Sequence, residues 1–246
     1  MRSKADLHMH TTYSDGVATV PEILEHVATH TDLKVIAITD HDRIDGALHA
    51  ARLASSFGIE VIIGEEISTM DGHLIALFID RPIAPGLSAR DSIKAIHAQG
   101  GLAVAPHPFD CSVSSLGQGS LPISAYTLDA IEGFNASVYW FERSCNFMAQ
   151  RLAEQLNLPV LGNSDSHSLS TIGSAYTRFD GSSVNDLYRA IQANEVSFAG
   201  SYWQLGDYID NWRLAIQQKG LAQFVCWAVA NSGQVQQLTP ARVQQG

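Results

Sequence analysis

The sequence predicts an α/β fold and favours a barrel over an open sheet. Three observations carry that expectation. Short apolar runs alternate with amphipathic segments along most of the 246 residues. About seven such runs occur in one unbroken series, which suits a closed barrel better than a doubly wound sheet. No Gly-x-Gly-x-x-Gly or P-loop pattern follows any run, which weighs against a nucleotide-cofactor fold. The open doubly wound sheet is the alternative.

The first strand is expected over 5–10. A helix follows over 21–30, where Val20, Ile23, Leu24 and Val27 form one stripe and Pro21 suits a first turn. The second strand, 34–39, contains Val35-Ile36-Ala37-Ile38, apolar on both faces as in a parallel sheet. A helix over 44–57 stops at Gly58. Strands over 60–69 and 73–79 come next, then a helix over 89–99 closed by Gly100 and Gly101. Strand 102–106 repeats the doubly buried pattern with Leu102-Ala103-Val104-Ala105. Residues 109–126 are polar and rich in Ser and Gly, a long loop of the kind that covers substrates. Strand 130–135, helix 142–157, strand 159–162 and helix 184–194 complete the series. From Ser201 the alternation stops, and helices are expected over 208–218 and 221–230 before a frayed end. Trp203, Tyr208, Trp212 and Trp227 of that segment serve either as exposed anchors for a partner or as a cap on the barrel base.

Composition narrows the class. Hydrophobic content of 46% with 16% charged residues supports a sizeable core. A formal net charge of -10 disfavours a long nucleic-acid footprint but not a small phosphorylated substrate, because bound cations invert the local field. Cys111, Cys145 and Cys226 are widely spaced and form no CxxC pair, so neither a disulfide framework nor a structural zinc cluster is expected. The start lacks an apolar signal stretch, and 221–230 is too short to span a bilayer. A cytoplasmic protein is the expectation.

Six of the ten histidines fall where strands end: His8, His10, His41, His73, His107 and His167. Most stand beside an acid or a proline, as in Asp6-Leu7-His8-Met9-His10, Asp40-His41-Asp42, Pro106-His107-Pro108 and Asp165-Ser166-His167. His and carboxylate together are the ligand set of borderline divalent metals. A core would place Leu, Ile or Val there at less desolvation cost. The strand ends of a parallel barrel converge on one face, so these distant residues would meet. His26, His30, His49 and His97 fall on helices and read as solvated or packing residues.

The motifs, taken together, resemble the PHP (polymerase and histidinol phosphatase) superfamily. The resemblance rests on Asp6-Leu7-His8-Met9-His10-Thr11 with Tyr13-Ser14-Asp15-Gly16, Ile38-Thr39-Asp40-His41-Asp42, Gly64-Glu65-Glu66-Ile67-Ser68, Ala105-Pro106-His107-Pro108 and Asn163-Ser164-Asp165-Ser166-His167. It covers residues 5 to 195 in the family's order. It implies a distorted (β/α)7 barrel over 1–200, with 201–246 as a short, mainly helical extension that is not an independent domain. It also implies two to three divalent ions, zinc, manganese or iron, and hydrolysis of phosphate esters. His8 and His10 would hold a first ion with Glu66 and Asp165; Glu66 would bridge to a second held by His107 and His73; Asp15, His41 and His167 would hold a third.

Elementary chemistry agrees with that implication. Cations neutralise a phosphate ester and lower the pKa of a bridging water from near 16 to about 7. Asp6, Asp40 or Asp42 would orient ligand imidazoles from behind. Asp165, His167 and His41 belong to the catalytic set, with His41 or His167 as the proton donor if the third site is empty. Arg143 is the first candidate for binding phosphate and Arg43 the second. Phe134, Tyr139, Trp140 and Phe141 would stack on a base, which suits a nucleotide. The expected substrate is therefore a small phosphorylated metabolite or nucleotide. Two alternatives are an amidohydrolase-type metal hydrolase, for which no carboxylated lysine is evident, and a catalytically inactive metal-binding or interaction module.

Overall fold

The structure is a computed structural model and describes residues 2–119 and 121–220. It contains β1 Arg2–Asp6, α1 Val20–His30, β2 Val35–Ile38, α2 Asp45–Phe57, β3 Glu60–Thr69, β4 Gly72–Leu77, α3 Ala89–His97 and β5 Leu102–Ala105. These are followed by β6 Ala130–Asn135, α4 Ser144–Leu156, β7 Val160–Asn163, β8 Ala175–Asp180, α5 Val184–Gln192, β9 Ser197–Gly200 and α6 Leu205–Lys219. One sheet holds all nine strands in the order β7-β6-β5-β4-β3-β2-β1-β8-β9. It curls until β7 lies against β8 and β9, giving a nearly closed barrel.

The closure has a local cause. A Cβ on Gly162 would lie 2.7 Å from the Phe198 Cβ and 3.2 Å from the Tyr176 carbonyl oxygen. Only glycine lets β7 come this close to the last two strands. The Thr177 hydroxyl then bonds across the seam to both the amide and the carbonyl of Gly162, at 3.1 Å each.

The apolar runs are buried on both faces for the reason the sequence suggests. In β2, Val35 and Ala37 face the barrel interior with Ile62, Leu77, Val104 and Leu161. Ile36 and Ile38 instead pack under α1 and α2, against Ile23, Leu24, Val27 and Ala50. Helices α3 and α4 cover the opposite flank through Ile93, Ile96, Ala149 and Ala153. Leu187 and Ile191 of α5 join the interior cluster and plug one end of the barrel.

Several expectations need correction. The first strand stops at Asp6, and His8 and His10 lie on an extended continuation tied by the Met9–Ser166 bridge. Strands β8 and β9 are additional to the expected seven, and both pair antiparallel, β8 against β1 and β9 against β8. β8 alternates buried Ala175, Thr177 and Phe179 with less buried residues, so it has no apolar run to reveal it. β4 is antiparallel to both β3 and β5, so the barrel is mixed rather than parallel. The expected helix 208–218 begins three residues earlier, at Leu205. Trp203 and Tyr208 are buried rather than exposed anchors, whereas Trp212 is exposed. The Trp203 indole donates to the Ser164 carbonyl at 3.1 Å, and the Tyr208 hydroxyl donates to Ser137 at 2.8 Å. That segment therefore packs beside Asp165, at the end away from the α5 plug. The expected helix 221–230, Cys226 and Trp227 lie outside the described residues.

Candidate metal centre

The parallel strands β1, β2, β5 and β7 run out at the end of the barrel opposite α5. His8 and His10 follow β1, His41 follows β2, His107 follows β5, and Asp165 and His167 follow β7. His73 reaches the same rim because β4 is reversed: its start, not its end, lies there, opposite Ser68 of β3. Of the two adjacent glutamates in β3, Glu66 faces this cluster. Glu65 faces away and accepts the Ile83 amide at 2.8 Å.

All nine residues of the expected ligand set converge, in four overlapping groups: His8, His10 and Glu66; His8, His107 and Asp165; His41, Glu66 and His73; and His10, Asp15, His41 and His167. Glu66 sits at their junction. Its Oε1 lies 2.9 Å from His73 Nδ1 and 3.1 Å from His107 Nε2. Its Oε2 lies 3.2 Å from His8 Nε2, 3.3 Å from His10 Nε2 and 3.5 Å from His41 Nδ1. Asp165 Oδ1 is 3.3 Å from the Nε2 atoms of both His8 and His10. Asp15 Oδ2 is 3.2 Å from His167 Nε2 and 3.7 Å from His41 Nε2, and Oδ1 is 3.5 Å from His10 Nδ1. Two supports are bent out of ordinary backbone geometry, His107 at φ 26° and Asp165 at φ 52°.

The electrostatics ask for positive charge at the centre. Burial alone would push the Glu66, Asp15 and Asp165 carboxyls up, yet the surrounding imidazoles hold all three well below their usual range. Burial likewise pushes the His10 imidazole down, and the charges of Asp15, Asp165 and Glu66 reverse this and lift it to about 10. His8 is raised well above its ordinary value against the same penalty, by Asp165, Glu132 and Glu66. The carboxylates are thus ionised and packed against ring nitrogens, several of which make no hydrogen bond. His10 Nδ1, His10 Nε2 and His107 Nδ1 are buried without one. Buried imidazole nitrogens beside ionised carboxylates are a donor set that a divalent cation satisfies. The residues fit the group.

A supporting layer stands behind the ligands, and no motif points to it. Glu132 of β6 is fully buried and accepts four bonds: from His8 Nδ1 at 3.0 Å, the His107 amide at 2.8 Å, Asn135 Nδ2 at 2.8 Å and Asn163 Nδ2 at 2.8 Å. Asn135 Nδ2 and the Ser137 hydroxyl hold Asp165 Oδ2 at 3.1 and 2.9 Å. A glutamate buried between Ile131 and Gly133, in a strand that also ends in buried Asn135, is the signal that identifies it. The acids expected to orient imidazoles do other work. Asp6 accepts the amides of Ser164 and Gly173, Asp40 accepts from Thr11 and Ser14, and Asp42 accepts the Ser68 amide.

Arg143 is exposed at the start of α4, its guanidinium stacked 4.1 Å over Tyr202. Arg43 donates to the Tyr13 carbonyl at 2.8 Å and pairs with Asp45 at 3.2 Å. The expected aromatic group divides. Phe134 stacks on Phe198 and Tyr139 on Tyr208, while Trp140 and Phe141 are 75% and 62% exposed.

The family model described as PHP domain matches residues 6–132, and one described as PHP-associated matches 143–196. The chain belongs to the PHP domain family. An uncharacterised protein of Methanocaldococcus jannaschii is 42% identical over 144 residues, 54% of this chain and 82% of that one. A 3′,5′-nucleoside bisphosphate phosphatase of Chromobacterium violaceum is 38% identical over 88 residues, 34% of this chain and 30% of the relative. Among solved structures, a two-domain protein of Bacteroides vulgatus is described as containing a predicted PHP-like metal-dependent phosphoesterase. It matches at TM-score 0.67 and 20% identity over 82% of this chain, which spans 65% of that one. That likeness is one of fold. The PHP barrel here has, among its described residues, no helix long and apolar enough to cross a membrane.

Proposed function

We propose that this PHP chain hydrolyses a phosphate ester of a small phosphorylated metabolite or nucleotide, at a centre of two to three divalent cations. The observation that carries the reading is Glu66: its two oxygens face two different sets of imidazoles, His73 with His107 and His8 with His10 and His41. His8, His10, Glu66, Asp165, His107 and His73 would hold two cations, and Asp15, His41 and His167 a third. When bound, such cations supply charge neutralisation of the ester and a lowered pKa for a coordinated water. The chain's own residues orient and protonate. Glu132 fixes which nitrogen of His8 faces the centre, and Asn135 with Ser137 aims Asp165. The Asp165 carbonyl engages His167 Nδ1 at 3.0 Å and leaves Nε2 toward Asp15. With the third site empty, His41 or His167, both part exposed, is the group we assign to proton delivery at the leaving oxygen, with Asp165 and Arg143 completing the catalytic set.

The nucleotide reading is favoured by Trp140 and Phe141. They are exposed three and four residues beyond Ser137, whose hydroxyl touches Asp165. The phosphatase name of the Chromobacterium violaceum relative supports it over the matched stretch.

The test is a turnover screen over nucleotides, bisphosphates and sugar phosphates on chelated protein, with and without added manganese or zinc. Metal-dependent release of phosphate is expected, and Asp165→Ala and His10→Ala should each abolish it with the fold retained. Full activity in both variants, or a folded protein that takes up no divalent ion, contradicts the assignment.

A further inference from the structure

We propose that Asp40 is a positioning residue that holds Asp15 in the outermost ligand group, and that it makes occupancy of this group separable from that of the groups around Glu66. The inference rests on the metal reading above and adds a device within it.

The four ligand groups are not equally buried. The side chains of His8, His10, Glu66 and His107 are at most 3% exposed. Those of Asp15, His41 and His167 are 21%, 27% and 20% exposed. An ion held among the latter three and His10 would meet water on that side, whereas the group of His8, His10 and Glu66 is wholly buried. Asp15 is also the one carboxylate of the ligand set carried by a turn, residues 11–16, rather than by a strand or its end.

That turn is folded onto a single buried acid. Asp40 Oδ1 accepts the Thr11 amide at 2.7 Å and the Ser14 hydroxyl at 2.6 Å, while Oδ2 accepts the Thr11 hydroxyl at 2.8 Å. The same Thr11 hydroxyl accepts the Tyr13 amide at 3.0 Å, so the chain between Thr11 and Asp15 is set from one point. Space for the carboxylate is provided by Gly46 in the first turn of α2: a Cβ there would lie 2.1 Å from Asp40 Oδ2. Three donors on a fully buried carboxylate make a stiff anchor. Asp40 itself is absent from all four ligand groups. Its carboxylate therefore bears on a cation through the turn that leads from His10 to Asp15.

Purified, chelated protein is dialysed against buffered free Mn²⁺ across a concentration series, and bound metal per chain is measured. The wild type is expected to fill in two steps, a tight one and a weaker one. Asp40→Asn should weaken the second step about 10- to 100-fold, the usual effect of losing a group that supports a ligand, and leave the first unchanged. Ser14→Ala, a milder change, should move the same step in the same direction. Asp15→Ala should reproduce the Asp40→Asn profile, and the double variant should lose no more than Asp15→Ala does. Additive losses, or a parallel weakening of both steps in Asp40→Asn, would show a general structural role and overturn the proposal. So would a wild type that fills in a single step. A wild type that binds no divalent ion would overturn the metal reading itself, and this proposal with it.

Discussion

A carboxylate that accepts four bonds inside a barrel, as Glu132 does, has no freedom left and imposes its geometry on whatever it touches. Two of its donors belong to His8 and His107, and a third, Asn135, also holds Asp165. Replacing it with the isosteric glutamine, Glu132→Gln, keeps the volume but gives His8 Nδ1 an amide in place of an anion. Metal affinity and turnover should fall about 10- to 100-fold with the far-UV spectrum unchanged; wild-type values for both would remove Glu132 from the supporting role. The contrast with the ligands explains what was legible. His8, His10 and Asp165 stand in short motifs at strand ends, where burying a polar residue is costly unless it has a task. Glu132 is a single letter in Ala130-Ile131-Glu132-Gly133-Phe134-Asn135, and its partners come from the segments after β1 and β5, from β7 and from β6 itself. Nothing local announces them.

Among the elements, the doubly buried strands β2 and β5 were readable from composition, because a run of Val, Ile and Ala has few other homes. β8 and β9 were not, since a strand with one less buried face and a four-residue edge strand carry little apolar signal. Their presence turns Gly162 into a closure residue. Gly162→Ala should lower stability by about 1–3 kcal/mol, the range for overpacking a tight contact, read as a lower urea midpoint. An unchanged midpoint would mean that the seam yields. At the other end of the barrel, α5 starts with a capping box in which Asp186 accepts the amides of Ser182 and Ser183 and the Ser183 hydroxyl. These bonds pull its carboxyl from 3.8 to about 2. A depressed folded value means stability that is fully present above about 4 and is lost as pH falls through about 2. Asp186→Ala should therefore melt lower than wild type at pH 7, and the gap should shrink on acidification across that window. A gap independent of pH would assign the effect to packing.

For the whole molecule, the cluster joins segments from β1 to β7, with His8 and His10 at one end and Asp165 and His167 at the other. An ion bound only by the folded form stabilises it by mass action, about 2.7 kcal/mol at a free concentration 100 times the dissociation constant. Chelation should lower the melting temperature, and added Mn²⁺ or Zn²⁺ should restore it in a concentration-dependent way; a melting temperature indifferent to chelator would count against a resident ion. The reversal of β4 carries a consequence for the order in which this site comes together. Glu66 and His73 occupy the two arms of one hairpin, β3 and β4, whereas His8 must find Asp165 from 157 residues away. Hairpins form in about 1–10 μs, while the entropic cost of closing a loop grows with its length. Two of the three members of one ligand group, Glu66 and His73, can thus come together during synthesis, while β7 is still unmade. On the metal reading, the nascent chain would offer an ion a weak foothold on the hairpin, and the strands that arrive later would complete the ligand set around it.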